Sequence, residues 1–331
     1  MTAETQNVRQ KKKHPVLKVL FKIWLVLFVI GCVAFFSVGN FVYSFALLRN
    51  SAFSMQNITS LLSGKSSDTA EYSGASEEKS TWLEANGTDK YITSSDSLRL
   101  HAFFAENQNS NHRFAIVCDG YSSKASHMSY FAKMFYDRGF SVLVPDARAH
   151  GESEGNVRGM GYTERRDIIL WINEILKFDS NAEIVLYGVS MGGATVLMTS
   201  GESDLPKNVK AVVSDCAYTS VYDEIGVQVK RYTSLPPFPI VDSASVISEI
   251  RGGYSFRDAS CVDAVKRSIT PTLFIHGSAD GFVPFYMLDE LYSSAVCEKE
   301  KLVIEGAGHA ASVSVDSETY WEKVFEFISK H

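Results

Sequence analysis

Ser190 stands at the centre of Gly188-Val189-Ser190-Met191-Gly192, directly after the apolar run Ile184–Tyr187. A serine hydroxyl is a poor nucleophile unless an adjacent base and a fixed geometry activate it. A strand that breaks into a tight turn between two glycines supplies the geometry, because one side chain is then held projecting from the bend. The residue after the serine opens a helix, so the backbone N–H of Met191 points to where an oxyanion would form. The spacing therefore predicts Ser190 as nucleophile and Met191 as one oxyanion donor.

The base is expected at His309, in Gly306-Ala307-Gly308-His309-Ala310, just after the apolar run ending at Ile304. Small neighbours free this loop to carry an imidazole over the preceding strand. A carboxylate must then hold that imidazole in the right tautomer. Asp280, in His276-Gly277-Ser278-Ala279-Asp280-Gly281-Phe282-Val283-Pro284, follows an apolar strand and precedes a stretch stiffened by proline. Asp215, at the end of the run 209–214, is the rival acid. The second oxyanion donor is expected from the turn Cys118-Asp119-Gly120-Tyr121, where Gly120 allows close backbone approach and the Tyr121 N–H can join that of Met191. Removing one such donor typically costs about 3 kcal/mol of transition-state stabilisation.

These residues need a frame that brings distant segments together. From Trp82 onward, short apolar runs alternate with longer amphipathic ones. Strands are expected at 91–93, 98–104, 114–118, 141–145, 184–187, 209–214, 272–276 and 301–304. Helices are expected near 127–138, 162–178, 190–200, 285–296 and 316–330, the last with Tyr320, Val324, Phe327 and Ile328 on one stripe. Such alternation predicts an α/β domain over residues 81–331: a mostly parallel eight-stranded sheet with helices on both faces. Ligands on such sheets bind at the carboxyl ends of the strands, and every candidate above follows a strand. Residues 221–268, with Leu235-Pro236-Pro237-Phe238-Pro239, break the rhythm and show no clear strand. They read either as a small cap shaping a pocket or as an inert connection.

The N-terminal part is different. Residues 1–22 carry Arg9, Lys11, Lys12, Lys13, Lys18 and Lys22 against Glu4, and the remaining chain holds 26 basic and 37 acidic residues. An acidic body argues against nucleic-acid partners, which require phosphate-neutralising surface. From Ile23 to Leu48 no charged residue occurs, a stretch of about 39 Å as a helix and enough to cross a bilayer. A buried core helix and a cleaved signal peptide are the alternatives, although a signal's apolar region is normally shorter. Val29-Ile30-Gly31-Cys32 resembles a lipoprotein cleavage box, but the sequence stays apolar beyond Cys32. The chain thus divides into a basic tail (1–22), a membrane span (23–48), a Ser/Thr/Gly-rich stalk (49–80) and the α/β body. Basic residues before the span predict a cytoplasmic N-terminus and an extracytoplasmic body, a single-pass signal-anchor arrangement. The five cysteines have no metal-ligand spacing. Cys216 and Cys261 could pair in an oxidising compartment. Asn57-Ile58-Thr59 and Asn86-Gly87-Thr88 fit glycosylation sequons.

With those motifs in view, the chain from about Trp82 to its end resembles the α/β-hydrolase superfamily, in particular membrane-anchored bacterial members of its esterase/lipase-like branch. Besides Gly188–Gly193, Asp146-Ala147-Arg148-Ala149-His150-Gly151-Glu152-Ser153 is similar to that family's Asp-x-Arg-x-His-Gly-x-Ser stretch. The resemblance implies that Arg148 and His150 brace the loop beside the site and are not catalytic. It departs at Asp119-Gly120, where the family usually carries His-Gly. An aspartate facing a developing negative charge would oppose it, so Asp119 is expected to point away. The expected chemistry is hydrolysis of a small-molecule or lipid carboxylic ester through Ser190, His309 and Asp280, with no metal or organic cofactor. An acyltransferase or peptidase would use the same three residues, and a non-catalytic surface module is the reading from another class.

Overall fold

A computed structural model describes residues 15–49 and 77–331. The basic residues before Pro15, the sequon at Asn57 and most of the expected stalk lie outside those residues. The first helix, α1, spans Pro15–Leu47. The body follows as α2 (Glu77–Asn86), β1 (Thr88–Thr93), β2 (Arg99–Ala105), β3 (Arg113–Cys118), α3 (Ser129–Asp137), β4 (Ser141–Pro145), α4 (Glu164–Phe178), β5 (Glu183–Val189), α5 (Met191–Ser200) and β6 (Val209–Asp215). Then come α6 (Val221–Thr233), α7 (Pro237–Gly252), α8 (Cys261–Val265), β7 (Thr272–Gly277), α9 (Tyr286–Ser294), β8 (Lys299–Ile304), α10 (Ser312–Val315) and α11 (Ser317–Ser329).

All eight expected strands are present and form one sheet in the order β1-β2-β4-β3-β5-β6-β7-β8. β1 and β2 pair antiparallel with their neighbours, and every pairing from β4 to β8 is parallel. β4 and β7 are buried along their whole length and β3, β5 and β6 at all but one residue each, as strands covered on both faces should be. Successive residues serve opposite layers. Phe114, Ile116, Ile184, Leu186 and Phe274 pack with α4, α5 and the cap helices. Ala115, Val117, Val185, Tyr187 and Ile275 pack with Phe131, Phe135 and Trp321 on the other face. Both edge strands carry lysines, Lys90 on β1 and Lys299 and Lys301 on β8, which discourages edge-to-edge pairing.

Register positions the site. Cys118 lies opposite Gly188, and Val189 lies opposite Asp215. β3, β5 and β6 therefore end level, and the turns beginning at Asp119, Ser190 and Cys216 emerge side by side.

Three regions differ from the sequence reading in detail. Residues 221–268 fold as α6, α7 and α8; Ser220 and Ser260 cap α6 and α8 by accepting from the Asp223 and Asp263 amides. The proline cluster that hid this pair lies at the α6–α7 turn, with Pro237 in the first turn of α7, a position proline tolerates. Cys216 and Cys261 are both buried and free, so the pairing entertained from sequence is not formed. The apolar helix begins before Ile23. Most of Val16–Val38 is exposed, whereas Gly39, Tyr43, Ala46 and Leu47 are buried against the body.

The layer on α11 depends on Trp321, 3 % exposed, stacked on Tyr187 and Phe325, tilted against Phe131 and edge-on to Phe135, with its indole N–H donating to Tyr130 Oη at 3.0 Å. Trp321→Ala removes that packing and is expected to cost about 3–5 kcal/mol. Thermal unfolding in detergent should show a melting temperature roughly 10 °C lower, at about 2–4 °C per kcal/mol for a domain this size. A shift of only a degree or two would mean that this layer does not hold the body together.

Candidate active site

β5 ends at Val189, and the chain reverses at Ser190 with φ 57° and ψ −116° before α5 begins. A non-glycine residue at positive φ is strained by roughly 1–3 kcal/mol and persists only where its surroundings hold it. The Ser190 amide donates to Asp215 O at 2.8 Å, and its carbonyl accepts from Ala194 N at 2.9 Å. The flanking glycines are required by space: a Cβ at Gly188 would overlap the Gly192 carbonyl, and one at Gly192 would overlap the carbonyls of Cys118 and Asp119.

The structure brings Ser190, His309 and Asp280 together. Ser190 Oγ lies 2.9 Å from His309 Nε2, and His309 Nδ1 lies 2.7 Å from Asp280 Oδ2. An ionised Asp280 accepts the Nδ1–H, which leaves Nε2 as acceptor for the serine proton. Asp280 is fixed in turn: Oδ1 accepts from the amides of Phe282 and Val283, both at 2.9 Å, and Oδ2 also faces His276 Nε2 at 3.2 Å. Burial pushes the Asp280 carboxyl up, but hydrogen bonds from His276 and His309 outweigh it and hold the group well below the usual carboxylate range. The His309 ring rests 5.0 Å from that of Phe282.

Asp215 is placed otherwise. Its Oδ2 accepts from Tyr320 Oη at 2.9 Å, its Oδ1 has no partner among the described residues, and burial raises it to about 6. Cys216 is packed close to Asp280 and His309, but burial and the charges of Asp215 and Asp280 keep its thiol protonated.

Tyr121 and Met191 both line the cavity above Ser190. Gly120 carries the loop past Ser190: a Cβ there would stand 3.8 Å from Ser190 Cβ. The Tyr121 side chain leaves the oxyanion side, donating through Oη to Ala46 O at 2.7 Å under the Arg158 guanidinium. Asp119 turns into a buried group with Asp146, Arg148, Glu164 and Asp167. Burial, then Asp146 and Glu164, push its carboxyl well above the usual carboxylate range. Arg148 grips Asp167 with two bonds of 2.7 and 2.8 Å and reaches Asp96 at 2.9 Å. His150 accepts from Ser122 N at 3.1 Å, and burial followed by Arg158 depresses it to about 4. His150 therefore holds the loop that carries Tyr121, whereas Arg148 ties the turn after β4 to Asp167 of α4 and to Asp96.

Sequence reading missed His276, Glu224, Gln228 and Ala46. His276 was visible four residues before Asp280 at a strand end. Glu224 and Gln228, one turn apart on α6, line the cavity with Ile225 and Met160. Glu224 Oε1 accepts from Gln228 Nε2 at 2.7 Å, while Glu224 Oε2 and Gln228 Oε1 are buried without a partner among the described residues. Burial pushes Glu224 up to about 8, against the hydrogen bond from Gln228. The cavity wall is therefore uncharged at neutral pH.

Comparison with known proteins adds the lineage. A family model described as X-Pro dipeptidyl-peptidase (S15 family) matches residues 63–250, a span that includes Tyr121, Ser190 and Met191 and stops before Asp280 and His309. Among curated relatives, the uncharacterized protein YqkD of Bacillus subtilis is 27% identical over 215 residues, covering 64% of this chain and 70% of its own. An uncharacterized membrane protein of Saccharomyces cerevisiae is 27% identical over 243 residues, 72% of this chain and 78% of its own. Among solved structures, the Pyrococcus furiosus esterase Pf2001 aligns with a TM-score of 0.62 at 23% identity, over 78% of this chain and 95% of that one. Acetyl xylan esterase 1 from Thermoanaerobacterium aligns with a TM-score of 0.55 at 18% identity, over 73% and 82%. These structural likenesses are likenesses of fold.

Two measurements test the site. The rate at which a fluorophosphonate labels Ser190 should fall about 10⁴-fold in Asp280→Asn, as expected when the orienting carboxylate is lost, and should stay near wild type in Asp215→Asn. The reverse ranking would make Asp215 the orienting acid. Glu224 provides a pH test. A carboxyl that keeps its proton to about 8 when folded, against 4.5 unfolded, adds stability fully present below 4.5 and lost as pH rises through 8. Glu224→Gln cannot titrate, so its melting temperature relative to wild type should rise between pH 5 and pH 9. A constant difference would show that Glu224 is already ionised in the fold.

Proposed function

This chain belongs to the Peptidase S15 family of α/β hydrolases, and from that premise we propose that it is a membrane-anchored serine hydrolase that cleaves carboxylic esters outside the cytoplasm. The carrying observation is the relay of 2.9 Å from Ser190 to His309 and 2.7 Å from His309 to Asp280. Ser190 Oγ attacks the ester carbonyl as His309 Nε2 takes its proton. The backbone amides of Met191 and Tyr121 receive the oxyanion, as fixed donors aimed at the developing charge. His309 returns the proton to the departing alcohol, forming the acyl-enzyme. It then activates a water that releases the acid, and the serine is restored. Asp280 keeps the imidazole oriented and stabilises its charged form throughout.

The apolar lining from Ala46, Met160, Ile225 and Val283 supports an acyl group rather than a charged one. The family description favours a second reading, cleavage of an amide after proline. The same residues serve both bonds, because the pocket chooses the leaving group. Anchoring rests on α1, apolar and mostly exposed over Val16–Val38, and a relative named as a membrane protein is consistent with it. The basic residues ahead of it support a cytoplasmic N-terminus.

A panel of p-nitrophenyl esters of increasing acyl length, set against Xaa-Pro anilides, separates the readings. Ester hydrolysis should dominate and should vanish in Ser190→Ala together with fluorophosphonate labelling. Faster release from the anilides would assign the peptidase activity instead. An unlabelled wild-type protein would mean a non-catalytic module.

A further inference from the structure

An anchor that only tethers a domain can end before the domain begins. Here α1 ends inside it. Gly39 seats α1 on α7 with no space for a side chain, since a Cβ there would overlap the Ser243 carbonyl. Tyr43, Ala46 and Leu47 are 1, 4 and 0 % exposed. The last carbonyls of a helix lack partners of their own, and in α1 the residues around the active site supply them. Ala46 O accepts from Tyr121 Oη at 2.7 Å, Leu47 O from Arg158 N at 2.8 Å and Leu48 O from Arg158 Nη1 at 3.3 Å. Arg49 then clamps the loop, donating to Ser153 O at 2.8 Å and to Gly151 O. The same Ala46 lines the cavity that holds Ser190.

Magnitudes turn this packing into a substrate class. The mostly exposed stretch Val16–Val38 reaches roughly 35 Å as a helix, against a hydrocarbon core of about 30 Å. From Val38 to Ala46 is about 12 Å along the axis. Acyl chains of one leaflet occupy half the core, about 15 Å. The pocket wall therefore stands about one acyl-chain length from the end of the exposed helix. The facing wall, α6, runs into a turn that exposes Tyr232, Leu235 and Phe238 beside Lys230 and Arg231, a mixture that favours a membrane interface.

Resting on the hydrolase reading above, we infer that the end of α1 is a wall of the acyl site and that the substrate is an acyl ester resident in the bilayer, whose chain enters between α1 and α6. One water is consumed, the acyl C–O bond breaks, and the products are a long-chain carboxylic acid and its alcohol. The neutral state of Glu224 below about pH 8 leaves no charge in the path of an alkyl chain.

The test uses the full chain in phosphatidylcholine vesicles, with p-nitrophenyl palmitate in the bilayer and p-nitrophenyl acetate in solution. Wild type should favour the palmitoyl ester at least tenfold in kcat/KM. Ala46→Leu, which narrows the wall, should move the preferred acyl length several-fold toward short chains. Gly39→Leu, which lifts α1 from α7, should lose the palmitoyl activity tenfold or more while a fluorophosphonate still labels Ser190. If Gly39→Leu does not label, the Ala46→Leu chain-length profile decides. A wild type that cleaves acetate but ignores the embedded ester, or an Ala46→Leu profile unchanged from wild type, overturns this inference and leaves the hydrolase reading intact. A wild type that is never labelled overturns both.

Discussion

The site depends on one backbone constraint: the reversal at Ser190 between a strand and a helix that pack almost in contact. The hydroxyl projects because φ is positive there, and the turn closes because Gly188 carries no side chain that would part β5 from α5 and Gly192 none that would part α5 from the end of β3. Everything else in the site is referred to that point. β3 and β6 end level with β5, so the Gly120 turn passes Ser190 on one side and Asp215 O holds the Ser190 amide on the other. His309 and Asp280 arrive from the turns after β8 and β7, which pair in register beside them. A residue inserted in any of these strands would shift a partner by about 3.3 Å and turn its side chain to the opposite face.

Around this frame the same residue type takes different charges according to its neighbours. Asp280 remains ionised because two imidazoles and two amides surround it. Asp215, one strand away, has a tyrosine and an unsatisfied oxygen, and burial raises it. Burial pushes Asp119 well above the usual carboxylate range and Glu224 up to about 8. In a low-dielectric interior each uncompensated charge is expensive, so the chain concentrates its ionised carboxylates where a base or a guanidinium meets them. Asp119 also faces the buried group around Arg148, where burial favours its uncharged form, so a carboxyl is tolerated one residue before Gly120.

The eight strands were legible because a parallel sheet demands unbroken apolar runs, and the elbow was legible because close packing demands glycine at two fixed places. Asp280 and His309 could be read from their positions after strands, although nothing in their spacing gives the 2.7 Å between them. The cap was not legible as helices. Its prolines lie at a helix start and a turn, where they do no harm, yet in sequence they mimic a breaker throughout. Glu224 and Gln228 looked like the polar face of an ordinary helix, and only the folded chain shows that this face looks into the cavity.

Hydropathy could not divide α1, and the reason is physical. A bilayer core and a protein core both exclude water, so both select apolar side chains, and a run without charges reads the same in either. The discriminating signals in α1 are small: Gly39, where two helices touch backbone to backbone, and Tyr43, Ala46 and Leu47 at helical spacing on the inward side. Lipid would accept larger residues at Gly39 and Ala46, whereas a packed wall would not. Those two positions mark where α1 passes from an exposed apolar surface to a packed one. That boundary, rather than the end of the apolar run, sets where α1 joins the body and its cavity.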